Sequence, residues 1–437
     1  MAGEVSPLPH YPFNPKRGMM DFKEVTCCRI CSSNRLEKYL DLGKVPLANA
    51  LVLPTNKYSK VYPLEVLLCG DCALSQLSIV INPEILYTDY PYRSSVSETF
   101  KTHCKNLALI LKSMYQGNNF PTVLDIASND NCLLKEFGNL GFGVLGVEPA
   151  KNLDMFERID LDKVTVDDLI PVVNRFWSEQ TALDMLTMNI RPNRGRDFIT
   201  AQNILAHVND VYDFLKGVKH QLDKKGIFVV EVPYLVDLFT KNQFDTIYHE
   251  HLSYFLFKPL KELFEFNGLP IFKVEHYDIH GGSLRLYASP CPYEIDPSVQ
   301  RQIDFEKSNG YFNFETYKQF AERVNQSRKD LTILLKSLYN GGQKVMGYGA
   351  SAKGISLLNY ASMDSRYIHS IVDETPAKQG KLTPGSNIPI VDFSHFEKVS
   401  PDYLLLLAWN FEEELRRKTS HLKAKYIIPI PDLKVSN

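Results

Sequence analysis

The middle of the chain alternates short apolar runs with stretches whose apolar residues recur at helical spacing. The run at 122–126 is followed by a turn of small polar residues and a helical pattern, and the next run lies at 143–147. Strands that alternate with helices predict a doubly wound, largely parallel sheet. The predicted strands are 122–126, 143–147, 197–201, 227–233, 271–276 and 283–288.

A second strand-and-helix pattern follows a change in composition near residue 291. An acidic, helical stretch at 304–339 leads to a strand, a glycine turn and a helix at 344–354. Later apolar runs at 368–373, 403–408 and 426–428 predict a second, smaller parallel sheet. At 437 residues the chain exceeds one ordinary core. The predicted domains are 21–81, 82–290 (with a helical lid at its start) and 291–437.

Composition and charge exclude several classes of protein. Apolar residues make up 44% and charged residues 23% of the chain, as in soluble globular proteins. The formal net charge of −2 provides no basic surface for a phosphate backbone, so we expect no nucleic-acid partner. The sequence contains no long apolar run and no apolar leader segment. We expect a cytoplasmic protein without a membrane partner, acting as a monomer or weak oligomer.

Four of the eight cysteines form two Cys-x-x-Cys pairs. Cys28 and Cys31 make the first pair, and Cys69 and Cys72 make the second. Each pair can present two thiolates from one tight turn, and four thiolates form the closed tetrahedral site that structural zinc prefers. Cys27 could replace Cys28 as a ligand, and four unrelated thiols are the alternative to a metal site. We expect a zinc ion that supports folding rather than chemistry.

The stretch from Tyr248 to Phe255 concentrates titratable side chains. It contains two imidazoles, one carboxylate, two phenols and one hydroxyl. Histidine is the commonest general base because its pKa lies near neutrality. The alternatives are a metal site and a polar loop with satisfied hydrogen bonds. His207 follows the predicted strand at 197–201, and since parallel strands end at one edge of a sheet, both segments should converge there.

The first two strands of the central sheet have features of a nucleoside site. The strand at 122–126 ends in a turn before a helix, and Glu148 closes the strand at 143–147. A carboxylate at this position suits the two hydroxyls of an adenosine ribose. The turn lacks the GxGxxG fingerprint of dinucleotide sites and offers no phosphate cradle. An adenosine ligand without phosphate fits better, which indicates S-adenosylmethionine.

Three segments leave a functional and a structural interpretation open. The segment HGGSLR at 280–285 could bring its backbone close to a ligand, or form only a tight hairpin. The segment GYGASAKG at 347–354, with Asp373 at the end of a later strand, could bind a nucleotide such as NAD or serve as a structural turn. The tyrosines around Pro91 could line a site or pack as an aromatic turn.

Taken together, these segments resemble the three-domain S-adenosylmethionine-dependent C-methyltransferases of deoxysugar biosynthesis. The resemblance extends from Cys28 to about Pro431 and rests on CRIC with LDLGKVPLAN, CGDCALSQL, ASNDNCLLKEF, VEPAKN, EVPYLVDL, YHEHLSYF, HGGSLR, GYGASAKG and AKQGKLTPGSNIPI. It implies an α/β fold with a class I methyltransferase doubly wound sheet, a small four-cysteine zinc domain and a second Rossmann-like domain at the C-terminus. Members methylate a carbon next to a ketone in a nucleoside-diphosphate-activated hexose, so the implied partner is a nucleotide sugar.

The resemblance, together with the chemistry of an enolate, implies a set of catalytic residues. His251 would take a proton from the carbon next to the ketone, and Glu250 would orient His251 or bind a sugar hydroxyl. Tyr248 and His207 would donate hydrogen bonds to the oxygen that becomes the enolate. Tyr92 would close over the sugar.

Binding residues are implied in the same way. His249 is expected to be structural. The expected cofactor residues are Asp125, Ser128, Glu148, Asn203, Ser94 and Ser95, the expected substrate residues are His280, Ser283, Arg285, Tyr90 and Lys353, and the expected zinc ligands are the four cysteines.

Two positions depart from the family pattern. Ala127 and Asn131 stand where the family has glycine, in the turn after the first central strand. Asparagine tolerates the left-handed backbone that such a turn requires, so we expect the turn to be kept. Two other functions stay open. One is a C-methyltransferase of another activated ketone, such as a carrier-bound polyketide-type intermediate, and the other is a non-catalytic binding protein that has lost the methyl donor.

Overall fold

Four β-sheets organise the part of the chain that the computed structural model describes, which comprises residues 21–88, 93–152, 170–187 and 195–437. The strands are β1 (Phe22–Glu24), β2 (Leu36–Pro46), β3 (Val61–Cys69), β4 (Ser75–Leu77), β5 (Ile79–Ile81), β6 (Thr122–Ile126), β7 (Gly143–Val147), β8 (Val172–Val173), β9 (Arg196–Gln202), β10 (Leu222–Pro233), β11 (Ser253–Tyr254), β12 (Ile271–Tyr277), β13 (Ser283–Ala288), β14 (Val345–Tyr348), β15 (Ile371–Val372), β16 (Ile390–Val391), β17 (Tyr403–Leu406), β18 (Lys425–Ile428) and β19 (Lys434–Ser436).

The helices pack on and between these sheets, and none of those described is both long and apolar enough to cross a membrane. They are α1 (Pro83–Tyr87), α2 (Glu98–Met114), α3 (Cys132–Asn139), α4 (Glu179–Thr187), α5 (Val211–Gln221), α6 (Leu235–Thr240), α7 (Phe257–Phe266), α8 (Pro297–Ser308), α9 (Phe314–Asn340), α10 (Ala352–Tyr360), α11 (His395–Val399) and α12 (Glu412–Thr419). Single turns of 3-10 helix are formed by Ser94–Val96, Leu205–His207, Phe244–Thr246 and Trp409–Phe411.

Side chains at the N-termini explain where several helices begin. Ser97 accepts a hydrogen bond from the backbone N–H of Phe100 (3.2 Å) at the start of α2. Asp296, followed by Pro297, caps α8, and Asn313 caps α9. These residues satisfy backbone N–H groups that have no partner inside the helix. The stretch expected to be helical at 304–339 is therefore two helices, separated near Gly310.

The N-terminal sheet is antiparallel and has the order β11-β4-β3-β2. β2 and β3 form a long hairpin, and β4 pairs with the other side of β3. The fourth strand, β11, belongs to a segment far along the chain, between α6 and α7, and pairs with β4. This pairing connects the N-terminal sheet to the middle of the chain.

The seven-stranded central sheet has the order β12-β13-β10-β9-β6-β7-β8. Five neighbouring strands of this sheet, β10, β9, β6, β7 and β8, are parallel. β13 runs antiparallel to both β10 and β12. One face, with Val123, packs against Leu107 of α2, whereas the other face, with Leu124, packs in the cluster of Phe214 of α5. This confirms the expected doubly wound α/β sheet, whose parallel strands all end at one edge.

The C-terminal sheet has the order β16-β15-β14-β17-β18-β19. Five strands are parallel, four of which were expected; the parallel strand β16 and the antiparallel edge strand β19 were not predicted. The residues of β19 are Lys434, Val435 and Ser436, and such a short, mostly polar run gives no strand signal by itself. These residues form a strand because they pair with β18.

The turn after β6 adopts a left-handed backbone at three alternate residues. The φ angles are +58° at Ala127, +51° at Asn129 and +59° at Asn131. The backbone N–H of Ala127 donates to the Val147 carbonyl of β7 (2.8 Å), which fixes the turn on the sheet. The turn is thus kept, and the conformation explains why glycine suits positions 127 and 131.

We predict that Ala127→Gly stabilises the protein by roughly 0.5–1 kcal/mol, because the strain of a left-handed alanine exceeds the entropy that glycine gains in the unfolded chain. The midpoint of denaturant unfolding should rise. Ala182→Gly, inside α4, is the matched control and should lower the midpoint because glycine weakens a helix. An unchanged or lower midpoint for Ala127→Gly would contradict the strain.

Candidate active site

The four predicted zinc ligands meet at one point. The sulfur atoms of Cys28, Cys31, Cys69 and Cys72 all lie within 4.8 Å of one another. The Sγ atoms of Cys28 and Cys72 are 3.5 Å apart, as are those of Cys31 and Cys69. Four convergent thiols of this kind fit a structural Zn²⁺ ion and leave it no open position for chemistry.

Two similar backbone turns build this cluster. The N–H of Ser32 donates to the Cys28 carbonyl (2.9 Å), and the N–H of Ala73 donates to the Cys69 carbonyl (3.0 Å). Ser32 and Ala73 both have positive φ angles, of 60° and 64°. Cys27 lies outside the cluster, so Cys28 is the ligand position that the fold provides.

The segment from Tyr248 to Tyr254 lies between the N-terminal and central sheets. Its strand β11 pairs with β4, and the N–H of Leu252 donates to the carbonyl of Ala206 (2.7 Å), next to His207. The structure thereby brings His207 and His251 together, with ring centres 4.8 Å apart. This convergence of the two segments was expected from their strand order.

Hydrogen bonds define which nitrogen of His251 can act as a base. Nδ1 lies 2.8 Å from the carbonyl of Thr246, so Nδ1 carries the proton and donates it. Nε2 then keeps its lone pair and accepts from the phenol of Tyr248 (3.0 Å). Burial lowers the pKa of His251 well below its ordinary value, and the neighbouring His207 lowers it further. The imidazole is therefore neutral at pH 7.

His207 is a second neutral imidazole in the same cluster. Its Nδ1 lies 3.0 Å from the phenol oxygen of Tyr87, and that oxygen lies 3.2 Å from the carbonyl oxygen of Glu250. Burial lowers the pKa of His207 to about 4. Because the Tyr87 phenol has one proton, its donation to His207 Nδ1 would leave Nε2 as the donor nitrogen. Its donation to Glu250 would leave His207 Nε2 as an acceptor.

Glu250 and His249 face the N-terminal domain rather than the two imidazoles. Asn49 donates to Oε1 of Glu250 (2.6 Å), and His249 Nε2 donates to the carbonyl of Pro63 (3.1 Å). Tyr62 contacts the His249 ring edge-on. A structural part for His249 agrees with these contacts, and the same geometry gives Glu250 a part in holding the loop.

Several buried polar atoms around the carboxyl ends of β6 and β9 could bind a cofactor. Within the described chain, no hydrogen-bond partner is present for the Oγ atom of Ser128 or for the Oδ1 atoms of Asp130, Asn131 and Asn203. Buried polar atoms are normally hydrogen-bonded. They lie at the edge of the sheet where S-adenosylmethionine is expected, and their donors and acceptors fit its polar groups.

The two expected carboxylates of the cofactor site are buried and held in place. Glu148 accepts from the backbone N–H groups of Asn129 and Ala150, each at 2.9 Å, and Asp125 accepts from the hydroxyl of Thr200 (2.7 Å). Burial raises the pKa of Glu148, and it raises the pKa of Asp125 to about 7. Glu148 thus lies against the turn after β6, and its contact with a ribose stays a prediction.

The segment before α2 lies against this turn. The backbone N–H of Ser94 donates to Oδ1 of Asn129 (3.0 Å), and that of Ser95 donates to Oδ2 of Asp130 (3.0 Å). Both serines are thus placed next to the proposed cofactor residues. Tyr90 and Tyr92 lie outside the described residues, so their expected contacts with substrate stay predictions.

Two of the expected substrate residues have other parts. Arg285 is fully buried, and its Nε donates to Glu231 (2.6 Å) while its Nη1 donates to the phenol of Tyr277 (3.0 Å). Glu231 and Arg285 are paired in neighbouring strands, which directs both side chains into the interior. Ser283 is also buried and donates to the Ile279 carbonyl (3.2 Å). These internal contacts favour a structural part for both residues, and their contact with substrate stays a prediction.

The glycines at 281–282 serve the hairpin between β12 and β13. Both have positive φ angles, and a Cβ atom would lie 2.3 Å from Gln243 at one and 2.2 Å from Asp237 at the other. They therefore allow close packing inside the protein, which favours the structural interpretation of this segment. His280 itself is partly buried, with its ring 5.2 Å from that of Phe100.

Lys353 of α10 connects the C-terminal sheet to this region. Its Nζ donates to the carbonyl of His280 (3.3 Å) and lies 5.7 Å from the centre of the Trp409 ring. Trp409 in turn donates to Asp245 (2.7 Å), which lies in the turn before the Tyr248 segment. Burial lowers the pKa of Lys353. Lys353 and His280 thus lie together, and their contact with substrate stays a prediction.

Internal contacts explain the glycine turn of the C-terminal sheet. A Cβ atom on Gly349 would lie 2.8 Å from Ala408, and one on Gly354 would lie 2.5 Å from Leu407. Asp373 accepts from the N–H of Ala350 (2.8 Å) and pairs with Lys378 (3.1 Å). These contacts favour a structural turn over an NAD site.

Some residues that hold the site were not assigned a part from sequence. They include Arg29 and Asn49, whose contacts join segments that are distant along the chain, and Thr246, whose carbonyl binds His251 within the same loop. Arg29 lies within CRIC and Asn49 ends LDLGKVPLAN, so both belong to segments that carried the resemblance. Their contacts across the fold could not be inferred from those segments alone.

Comparisons with known proteins cover nearly the whole chain. Three family models match, described as "Putative zinc binding domain" at residues 28–87, "Methyltransferase domain" at 96–274 and "C-methyltransferase C-terminal domain" at 278–431. The C-methyltransferase NovU of Streptomyces niveus is 33% identical over 415 residues, which cover 93% of this chain and 96% of that protein.

Solved structures are similar over part of the chain. A SAM-dependent methyltransferase from Archaeoglobus fulgidus is 17% identical and has a TM-score of 0.31, with 41% of this chain and 73% of that chain covered. The PH0226 protein from Pyrococcus horikoshii is 13% identical and has a TM-score of 0.33, with 46% of this chain and 96% of that chain covered.

We predict that purified protein contains one Zn²⁺ per chain. Cys69→Ser should lose the metal and unfold the N-terminal sheet, because the binding energy of structural zinc is folding energy. Cys27→Ser, next to the cluster but outside it, is the control and should keep both. Native mass spectrometry measures the metal content, and a folded Cys69→Ser protein without zinc would contradict a structural metal.

Proposed function

Since the chain belongs to the family of three-domain C-methyltransferases that combine a zinc-binding and a methyltransferase domain, we propose that its substrate is a nucleoside-diphosphate-activated deoxysugar. The enzyme is an S-adenosylmethionine-dependent C-methyltransferase. In the proposed reaction it methylates the carbon next to a ketone of the sugar through an enolate. The observation that supports this chemistry best is the neutral, oriented imidazole of His251.

His251 is the proposed base. The Thr246 carbonyl holds the proton of Nδ1, so Nε2 is the atom that takes a proton from the carbon next to the ketone. Neutrality is essential, because a protonated imidazole could not act as a base. Burial provides it by lowering the pKa of His251. Proton removal from carbon yields an enolate, which is the nucleophile of C-methylation.

Tyr248 is the proposed donor to the enolate oxygen. Its phenol hydrogen points to His251 Nε2 at rest, and rotation of the O–H bond toward the substrate would free Nε2 at the same moment. His207 could supply a second donor from Nε2 when Tyr87 donates to its Nδ1. Donors placed where negative charge develops stabilise the transition state.

The cofactor residues are proposed from the sheet edge. S-adenosylmethionine supplies an electrophilic methyl group when bound. Ser128, Asn203 and the Oδ1 atom of Asp130 would bind its polar groups, because these buried atoms lack partners within the described chain. Glu148 would accept hydrogen bonds from the ribose hydroxyls. Asp125, which accepts from Thr200, would line the same site.

The proposal extends to the domain bounds, the substrate side of the site and the setting of the enzyme. The domains are taken as 21–81, 82–290 and 291–437, with Lys353 of the last domain and His280 of the middle one on the substrate side. Tyr92 and Tyr90 would close over the sugar. A net charge of −2 supports a small-molecule substrate over nucleic acid. The enzyme would work in the cytoplasm as a monomer or weak oligomer.

The substrate class can be tested with methyl-labelled cofactor. Wild-type protein is incubated with ¹³C-methyl S-adenosylmethionine and a panel of nucleoside-diphosphate keto-deoxyhexoses, and the products are examined by NMR. We expect a new methyl signal bonded to carbon in at least one sugar. Labelling only of carrier-bound ketones would replace the sugar proposal with the polyketide-type alternative, and the absence of cofactor binding by calorimetry would indicate a non-catalytic protein.

His251→Asn should reduce kcat by roughly 10²–10⁴-fold, because asparagine keeps a polar group but cannot accept the proton at neutral pH. The affinity for S-adenosylhomocysteine should be unchanged. His421→Asn, at an exposed histidine of the C-terminal domain, is the control. If His251→Asn turned over normally while Tyr248→Phe were inactive, the Tyr248 phenol and not His251 would be the base.

The pH profile should carry the signature of the lowered pKa. A base works in its deprotonated form, and burial lowers the pKa of His251 below the ordinary value near 6.5. Therefore kcat/KM should stay constant from pH 8 down to about 6.5 and fall only at lower pH. A decline centred at or above pH 6.5 would contradict a buried neutral base.

A further inference from the structure

The N-terminal zinc domain contacts the catalytic loop through backbone pairing. We define the catalytic loop as residues 246–254, which carry Tyr248 and His251. Strand β11 at its end forms the edge of the N-terminal sheet, and the N–H of Leu77 donates to the carbonyl of Leu252 (3.0 Å). The loop is therefore part of the sheet that the zinc turns support.

Arg29 reaches this loop from inside the first zinc turn. It lies between the ligands Cys28 and Cys31, and its side chain is buried. Its Nη1 donates to the carbonyl of Leu252 and to the hydroxyl of Ser253 (3.2 Å). The backbone N–H of Arg29 donates to Gln76 of β4 (3.1 Å), which fixes its own position. Removing a guanidinium group from water costs free energy, and the hydrogen bonds of Arg29 to the loop offset part of that cost.

Asn49 forms the second connection, after the end of β2. Its Nδ2 donates to Oε1 of Glu250 at 2.6 Å, and Glu250 is buried. Hydrogen bonds to a charged group are stronger than those between neutral groups. Glu250 immediately precedes His251, so a shift of its side chain moves the backbone that carries the base.

The opposite side of the loop is held by the central sheet. The N–H of Leu252 donates to Ala206, and Tyr87 bridges the Glu250 carbonyl and His207. Leu252 thus has its amide bound to the methyltransferase side and its carbonyl bound to the zinc side. Two independent supports at one residue leave the loop little freedom to change register.

From these contacts we infer that Arg29 and Asn49 are positioning residues, through which the zinc domain sets the place of His251 and Tyr248. Neither side chain would touch substrate or cofactor. This inference rests on the proposed part of His251 as the base. It gives the zinc domain a function in catalysis although the metal itself takes no part in the chemistry.

The first test uses Asn49→Ala in the full-length protein. Removal of the amide donor should leave zinc at one equivalent and increase hydrogen exchange of a peptide covering the catalytic loop by about tenfold, the usual effect of one charge-assisted hydrogen bond. With an active nucleotide sugar, kcat should fall about tenfold or more while KM for S-adenosylmethionine stays within about twofold. Asn34→Ala, at an exposed asparagine of the same domain, should change none of these.

The second test replaces Arg29 by lysine, which keeps the charge but ends one atom short of Nη1, the nitrogen that donates to both acceptors. Exchange should rise in the same peptide, with zinc retained and kcat reduced. Arg35→Lys is the matched control, because Arg35 pairs with Asp71 at the surface, with 70% of its side chain exposed. Unchanged exchange and kcat in both test variants would overturn the inference, and so would loss of zinc, which would show a part in metal binding instead.

The two proposals can fail separately. Hydrogen exchange and zinc content need no substrate, so they test the positioning of the loop even if no sugar is methylated. Should wild type methylate no sugar while both variants loosen the loop, only the proposed substrate would be withdrawn. Should wild type methylate a sugar while neither variant changes the loop, only the positioning would be withdrawn.

Discussion

The arrangement of the site depends on the catalytic loop being held between two sheets. Leu252 donates its backbone N–H to Ala206 on the side of the central sheet, and its carbonyl accepts from Leu77 and Arg29 on the side of the zinc domain. This double attachment places His251 next to His207 and buries both imidazoles, which keeps them neutral. The same hydrogen bonds therefore connect the zinc domain, the methyltransferase sheet and the proposed base.

The central and C-terminal sheets both place an acidic residue against the turn that follows a neighbouring strand, but the surroundings of the two carboxylates differ. Glu148 and Asp373 each follow the second strand of a parallel unit and accept N–H groups from the neighbouring turn. Asp373 is also paired with Lys378, whereas Glu148 lies beside polar atoms of Ser128 and Asn131 that lack partners in the described residues. The turn in the central sheet therefore has polar atoms available for a ligand, whereas the carboxylate in the C-terminal sheet is neutralised by a lysine of the protein.

The sequence was sufficient to predict the fold class, because strand and helix periodicity is a local property and the four cysteines have a specific spacing. Strands β11, β16 and β19 were among those not predicted, since two or three residues acquire strand structure only through their partners. The convergence of His207 and His251 followed from strand order, but the buried pairing of Arg285 with Glu231 depends on register, which glycine and charge patterns do not reveal. Contacts such as Asn49 with Glu250 likewise required the structure.

The central claim is that His251 forms an enolate by removing a proton from carbon. It can be tested without methyl transfer, by incubating the enzyme in D₂O with S-adenosylhomocysteine and an accepted nucleotide keto-sugar. Our account predicts that deuterium enters the carbon next to the ketone with wild type and at a rate at least about 10²-fold lower with His251→Asn. Equal deuterium incorporation by the two proteins, or none by an active wild type, would contradict it.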